Sequence, residues 1–120
     1  MKLLIAVRSE MIAGLLSSAL SEYDIHICDT SDETISILNT LQPELLILDL
    51  RLRGTDGITV LQKSRHKPRF ILAFTDLVTE SIFEAAIDVG IQDVLLIPCT
   101  IRHIIEHLDG LIEKAPSPES

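Results

Sequence analysis

The sequence predicts one α/β domain: a doubly wound, five-stranded parallel sheet with helices on both faces, three layers in all. Three observations predict it. Short apolar runs alternate with stretches of helical spacing along the 120 residues, which is the pattern of a parallel sheet built from successive βα units. The run Leu45-Leu46-Ile47-Leu48 is apolar without a break, as in a strand covered on both faces. That run ends in Asp49. A carboxylate there lies at the carboxyl edge of the sheet, where open α/β sheets bind ligands and carry out chemistry.

Residues 3–7 read as the first strand. The stretch 11–21 places Ile12, Leu16 and Leu20 on one helical stripe, with Ser9 as its N-cap. Residues 24–28 form a short second strand. Thr30 stands three residues before Glu33, the spacing of a capping box, and the helix that follows carries Ile35, Leu38 and Leu41 until Pro43 stops it. The third strand is 44–48, running into Asp49. Gly54 and Gly57 punctuate the next loop, and Asp56 caps a helix of about two turns with Ile58, Val60 and Leu61.

Residues 70–74 are the fourth strand, Thr79 caps the helix 80–89, and Gly90 ends it. Residues 93–97 are the fifth strand. After Pro98, Thr100 caps a last helix through Leu111. The expected domain is 1–113. Residues 114–120, with Pro116, Ser117 and Pro118, read as a linker or tail. Right-handed crossovers leave few topologies, and the flavodoxin-like order 2-1-3-4-5 gathers the ends of strands one, three, four and five around one crevice. That crevice is expected to hold Arg8, Ser9, Asp49, Thr75 and the Ile97-Pro98 corner.

Composition excludes several functions. The net charge of −8 disfavours direct contact with a nucleic-acid backbone. No run approaches the roughly 20 apolar residues of a membrane span, and the first apolar stretch stops at Arg8, too early for a signal peptide. Cys28 and Cys99 lack metal-ligand spacing and suit a reducing, cytoplasmic setting. The predicted strand order sets them on opposite edges, beyond disulfide reach. His103 and His107 are one helical turn apart, with no third metal ligand nearby. No Ser/Thr/Gly-rich phosphate loop follows the first strand and no D-x-H-x-x-G motif is present, which speaks against a cofactor-binding domain.

Taken in order, Pro43-Glu44-Leu45-Leu46-Ile47-Leu48-Asp49, then Gly54-Thr55-Asp56-Gly57, then Ala86-Ile87-Asp88-Val89-Gly90-Ile91-Gln92-Asp93, then Pro98, resemble the receiver domain of bacterial two-component response regulators. The resemblance covers about residues 2–112. It implies that Asp49 is the phosphoacceptor for a histidine kinase or phosphotransfer protein. It implies that Thr75 is the switch hydroxyl that meets the phosphoryl oxygens, and that Pro98 follows a cis peptide bond.

The chain also departs from the family. Arg8 and Ser9 occupy the positions of an acid pair that, with the phosphoacceptor, holds magnesium. Ile97 stands where the family has a phosphate-pairing lysine, Val94 where it has an aromatic switch residue, and Arg53 where the loop normally has proline. Any magnesium would rely on Asp49, Glu10 and the Arg51 backbone, a poor set for an ion that takes carboxylates, phosphate oxygens and water. No resident cofactor is expected, and magnesium only weakly.

An arginine supplies positive charge of its own, with donors suited to carboxylate or phosphate. The sharper expectation is therefore that the Arg8 side chain pairs with Asp49 in place of the metal; the plainer one is that Arg8 points into solvent. Two functions stay open. One is a non-enzymatic interaction module controlled independently of phosphorylation. The other is a phosphorelay receiver that takes phosphate on Asp49 with unusual metal dependence. The resemblance further implies homodimer or output contacts on the face from Glu80 to Leu111, where Glu84, Arg102, Glu106 and Asp109 are placed to form charge pairs. It also implies a DNA-binding output domain beyond Ser120, through which the domain would regulate transcription.

Overall fold

The computed structural model describes residues 1–114; the expected tail 115–120 lies outside the described residues. The elements are β1 (Lys2–Ala6), α1 (Glu10–Ala19), β2 (Asp24–Cys28), α2 (Ser31–Leu41), β3 (Leu45–Asp49), α3 (Gly57–Lys63), β4 (Phe70–Thr75), α4 (Glu80–Asp88), β5 (Asp93–Leu96) and α5 (Ile101–Lys114). The strands form one parallel sheet in the order β2-β1-β3-β4-β5. This is the flavodoxin-like arrangement expected from the sequence.

Period-two alternation builds both sides of the core. Leu3, Ile5, Leu45, Ile47, Leu72 and Phe74 face the layer of α1 and α5, where Leu16, Ile104 and Leu108 cover them. Leu4, Ala6, Leu46, Leu48, Ile71 and Ala73 face the layer of α2, α3 and α4, where Leu38, Val60, Leu61 and Ala86 close the other side. β3 is buried at all five positions, the acid included.

Each helix begins on a side-chain oxygen that accepts a backbone N–H three residues on: Ser9 from Ile12, Thr30 from Glu33, Asp56 from Thr59, Thr79 from Ile82 and Thr100 from His103. Such a cap contributes about 1 kcal/mol. The elements differ from the sequence reading at their ends. β4 takes in Thr75, because its main chain still pairs with Leu96 of β5. β5 stops at Leu96, ahead of the cis Ile97–Pro98 peptide. α5 runs on to Lys114.

Candidate functional site

β3 lies at the centre of the sheet between β1 and β4, and carries Asp49 opposite Phe74. The Asp49 side chain is nearly closed off, at 8% exposure. Both of its oxygens accept backbone hydrogen bonds. The Arg8 N–H donates to Oδ2 at 3.1 Å and the Arg51 N–H to Oδ1 at 2.8 Å. The carboxylate therefore ties the exit of β1 to the loop after β3.

The expected pairing of the Arg8 guanidinium with Asp49 is not what forms. Arg8 meets the acid through its peptide N–H, while its side chain is exposed and enters none of the ion pairs among the described residues. Near a strand end the N–H points along the sheet toward the neighbouring strand and the side chain stands off it, so one residue does not readily aim both at the same acid. Ser9 is occupied as the α1 cap, and Glu10 is the exposed first residue of that helix.

Two further arginines are positioned by contacts that no sequence motif announces. The Arg51 guanidinium donates through Nη1 to both oxygens of Asp76, at 2.9 and 2.7 Å. This couples the loop after β3 to the loop after β4. Arg53 is held by its backbone: its carbonyl accepts from Ser31 at 2.8 Å and its N–H donates to the Asp29 carbonyl at 3.3 Å, with Nε 3.5 Å from Asp29 Oδ2. These pairs are exposed, so each contributes at most about 1 kcal/mol; their importance is in where they put charge. Arg8, Arg51 and Arg53 line one cavity with Asp49 and Asp76, over apolar walls that include Ile12 and Ile97.

Thr75 is not part of that cavity. It lies on the other side of the sheet, buried at 3% exposure, where it lines a separate cleft between α3 and α4 with Ile58, Ile82 and Ala85. Alternation explains the separation. Asp49 is in phase with Ile47 and Phe74, toward α1 and α5, whereas Thr75 is in phase with Ala73. Thr75 Oγ1 accepts from the Leu77 N–H at 3.4 Å. Val94 packs half-buried in the cluster on Thr75's side of the sheet. Ile97 does border the Asp49 cavity, whereas Pro98 lines the hollow next to it.

The donor set does not fit magnesium. That ion takes hard oxygen ligands in near-octahedral geometry. Here the cavity is lined by two carboxylates and three arginines, one carboxylate committed to backbone N–H groups and the other to the Arg51 guanidinium. No group of three or more His, Cys, Asp or Glu assembles among the described residues. His107 instead meets Asp93 across α5 and β5, with the His103 ring edge-on to it.

Cys28 and Cys99 are free thiols. Burial pushes the Cys28 thiol up to about 11, and Glu33 and Asp29 add to the shift, while the bond to Thr34 opposes it. A raised folded-state value favours the neutral thiol, so this contribution to stability is intact below about pH 9 and is lost as pH climbs toward 11. The loss amounts to about 2–3 kcal/mol. Urea midpoints at about pH 8 and about pH 10 should fall further apart for the native chain than for Cys28→Ala. Equal slopes would contradict the assignment.

No helix among the described residues is long and apolar enough to cross a membrane. The sequence matches the response regulator receiver domain over residues 5–109. The transcriptional regulatory protein PmrA of Pectobacterium parmentieri is 30% identical over 121 residues, covering 95% of this chain and 53% of that protein. The luminescence regulatory protein LuxO of Vibrio campbellii is 32% identical over 108 residues, covering 87% of this chain and 24% of that protein. The chain thus spans between about a quarter and about half of the curated relatives it matches. The non-phosphorylated HemR receiver domain from Leptospira biflexa superposes with a TM-score of 0.84 at 18% identity, covering 96% of both chains, a likeness of fold. With the match running from β1 into α5, the chain belongs to the response regulator receiver domain family.

Proposed function

We propose that this receiver domain works without phosphorylation of Asp49, as an interaction module whose conformation or dimerisation controls an output. The observation that carries the reading is the state of the acid. Both oxygens already accept backbone N–H bonds, and the other carboxylate of the cavity, Asp76, is paired with Arg51. Phosphoryl transfer is almost entirely positioning and charge neutralisation, with metal ions bridging the transferred group. A nucleophile tied down and deprived of its metal is poorly placed for it.

The Arg51–Asp76 pair joins the loops beyond Asp49 and Thr75 at the sheet's carboxyl edge. The output contacts are assigned to the face of α4, β5 and α5. Phe83, Ile87 and Leu96 are each at least half exposed there, and Arg102 pairs with Glu106 beside them. A second copy of the domain is the proposed occupant. Two relatives are named as regulatory proteins, one of them transcriptional, which supports a transcriptional output through a DNA-binding segment following Ser120. The free thiols support a cytoplasmic setting.

Incubation with acetyl phosphate and magnesium, followed by intact-mass measurement, tests the proposal. The expected result is an unchanged mass. A gain of one phosphoryl group, lost in Asp49→Asn, would overturn it in favour of the alternative: a phosphorelay receiver that takes phosphate on Asp49, for which a sensor histidine kinase or phosphotransfer protein would be the donor. The placement of Asp49 at the carboxyl end of the central strand β3 is what favours that second reading.

A further inference from the structure

The Asp49 cavity is unusual for its charge. The chain carries −8 overall and has ten Lys and Arg residues. Three of its arginines border one space of about 420 Å3 with Asp49 and Asp76, and Asp29 stands behind Arg53, so cations and carboxylates balance there while the rest of the chain is acidic. Their backbones are pinned: Arg8 and Arg51 by N–H bonds to Asp49, and Arg53 by its main-chain bonds to Ser31 and Asp29. Their side chains keep donors in reserve. A guanidinium has five N–H groups. Arg51 uses Nη1 on Asp76, Arg53 approaches Asp29 only through Nε, and Arg8 enters no ion pair among the described residues. The carboxylate below them is already satisfied by two N–H bonds.

The walls add a second requirement. Ile12, Phe74 and Ile97 line the same cavity. A second hollow of about 320 Å3 shares Ile12, Asp76 and Ile97 with it and continues over Pro98, Cys99, Ile101 and Ile104. A charged mouth therefore opens into an apolar groove. Pockets in this size range hold small molecules, with apolar walls and a few placed polar groups that fix orientation. Guanidinium forks match carboxylate and phosphate oxygens. Asp29 holds only the Nε edge of Arg53, and negative charge farther than about 8–10 Å away is screened.

We infer that this cavity binds, without covalent chemistry, a small organic oxyanion: a carboxylate or phosphate monoester head on a short apolar body. The head lies among Arg8, Arg51 and Arg53, and the body lies along Ile12 and Ile97. The inference rests on the phosphorylation-independent reading and deepens it, since such a ligand spans the loops after β1 and β3 and supplies the signal that phosphate does not.

Calorimetric titration of the full chain with phenyl phosphate, benzoate and inorganic phosphate tests it. At least one aromatic ligand should bind saturably at one site, and the tighter of the two identifies the head group. Arg8→Ala and Arg53→Ala, both changes of exposed side chains, should each weaken binding about tenfold. Ile97→Lys should remove the preference for phenyl phosphate over inorganic phosphate. Absence of saturable binding by both aromatic ligands would overturn the inference, as would binding that the arginine substitutions leave unchanged. These ligands are offered as non-covalent probes, and an unchanged intact mass after titration verifies it. Failure here is thus separable from a positive acetyl phosphate result, which would count against the proposed function instead.

Discussion

Replacing Phe74 with alanine should remove about 3–5 kcal/mol of stability, the largest loss expected from any single truncation in the chain. Phe74 heads the fully buried side chains and is 1% exposed. It sits near the end of β4, beside β3, in the cluster that brings Leu16 of α1 and Ile104 and Leu108 of α5 against the sheet. Phe70 and Phe74 are the two buried phenylalanines, and Phe70 lies at the far end of the same strand, so no neighbouring ring can swing in to fill the space. Domains of this size are stable by about 5–15 kcal/mol in total, so the variant should be close to its unfolding threshold. Urea unfolding followed by circular dichroism measures the loss. Val78→Ala, at an exposed position, serves as the control and should change stability by less than about 0.5 kcal/mol. A loss below about 1 kcal/mol for Phe74→Ala would mean that α1 and α5 are not packed on β4 as described.

The sheet was legible because its signals are local. Apolar runs, capping residues at Ser9, Thr30, Asp56, Thr79 and Thr100, and the punctuation at Pro43 and Gly90 each declare an element within a few residues. Right-handed crossovers then leave little choice of order. The position of Asp49 was legible for the same reason, as the end of an unbroken apolar strand. The site around it was less so. Grouping every strand-end residue into one crevice ignores the phase of each strand. Asp49 and Thr75 end adjacent strands in opposite phase, and this sends their side chains to different layers.

Arg8 shows a second limit. Its proximity to Asp49 follows from topology, but which of its groups makes the contact depends on backbone direction, and the peptide N–H does. The Arg51–Asp76 and Arg53–Asp29 pairs join residues 25 and 24 positions apart. Neither side chain is distinguished in sequence from any other surface charge. Their one advance sign was the accumulation of arginines on both loops around a buried acid.

The second large effect belongs to Gly54, and it separates two causes that usually act together. Gly54 has φ +100°, a conformation that costs an L-residue about 1–2 kcal/mol. An added Cβ would also stand 2.3 Å from Ser31 Oγ. Ser31 is buried, and its hydroxyl accepts the Thr55 N–H at 3.0 Å, so displacing it breaks a bond worth about 1 kcal/mol. Gly54→Ala should therefore cost about 2–4 kcal/mol in all. Gly90 has nearly the same backbone angle, +91°, but nothing within 4 Å of the new atom. Gly90→Ala should show the backbone cost alone, about 1–2 kcal/mol. The difference between the two variants measures the Ser31 contact. Adding Ser31→Ala to Gly54→Ala removes the obstructing oxygen, so the double variant should be less damaged than the sum of its parts, by about 1 kcal/mol. Simple additivity would show that the loop yields without disturbing Ser31. Because the Ser31 N–H also holds the Arg53 carbonyl, a loop that moves carries Arg53 with it. Gly54→Ala should then weaken oxyanion binding while Gly90→Ala does not, linking the turn that shapes the loop to the charge the loop delivers.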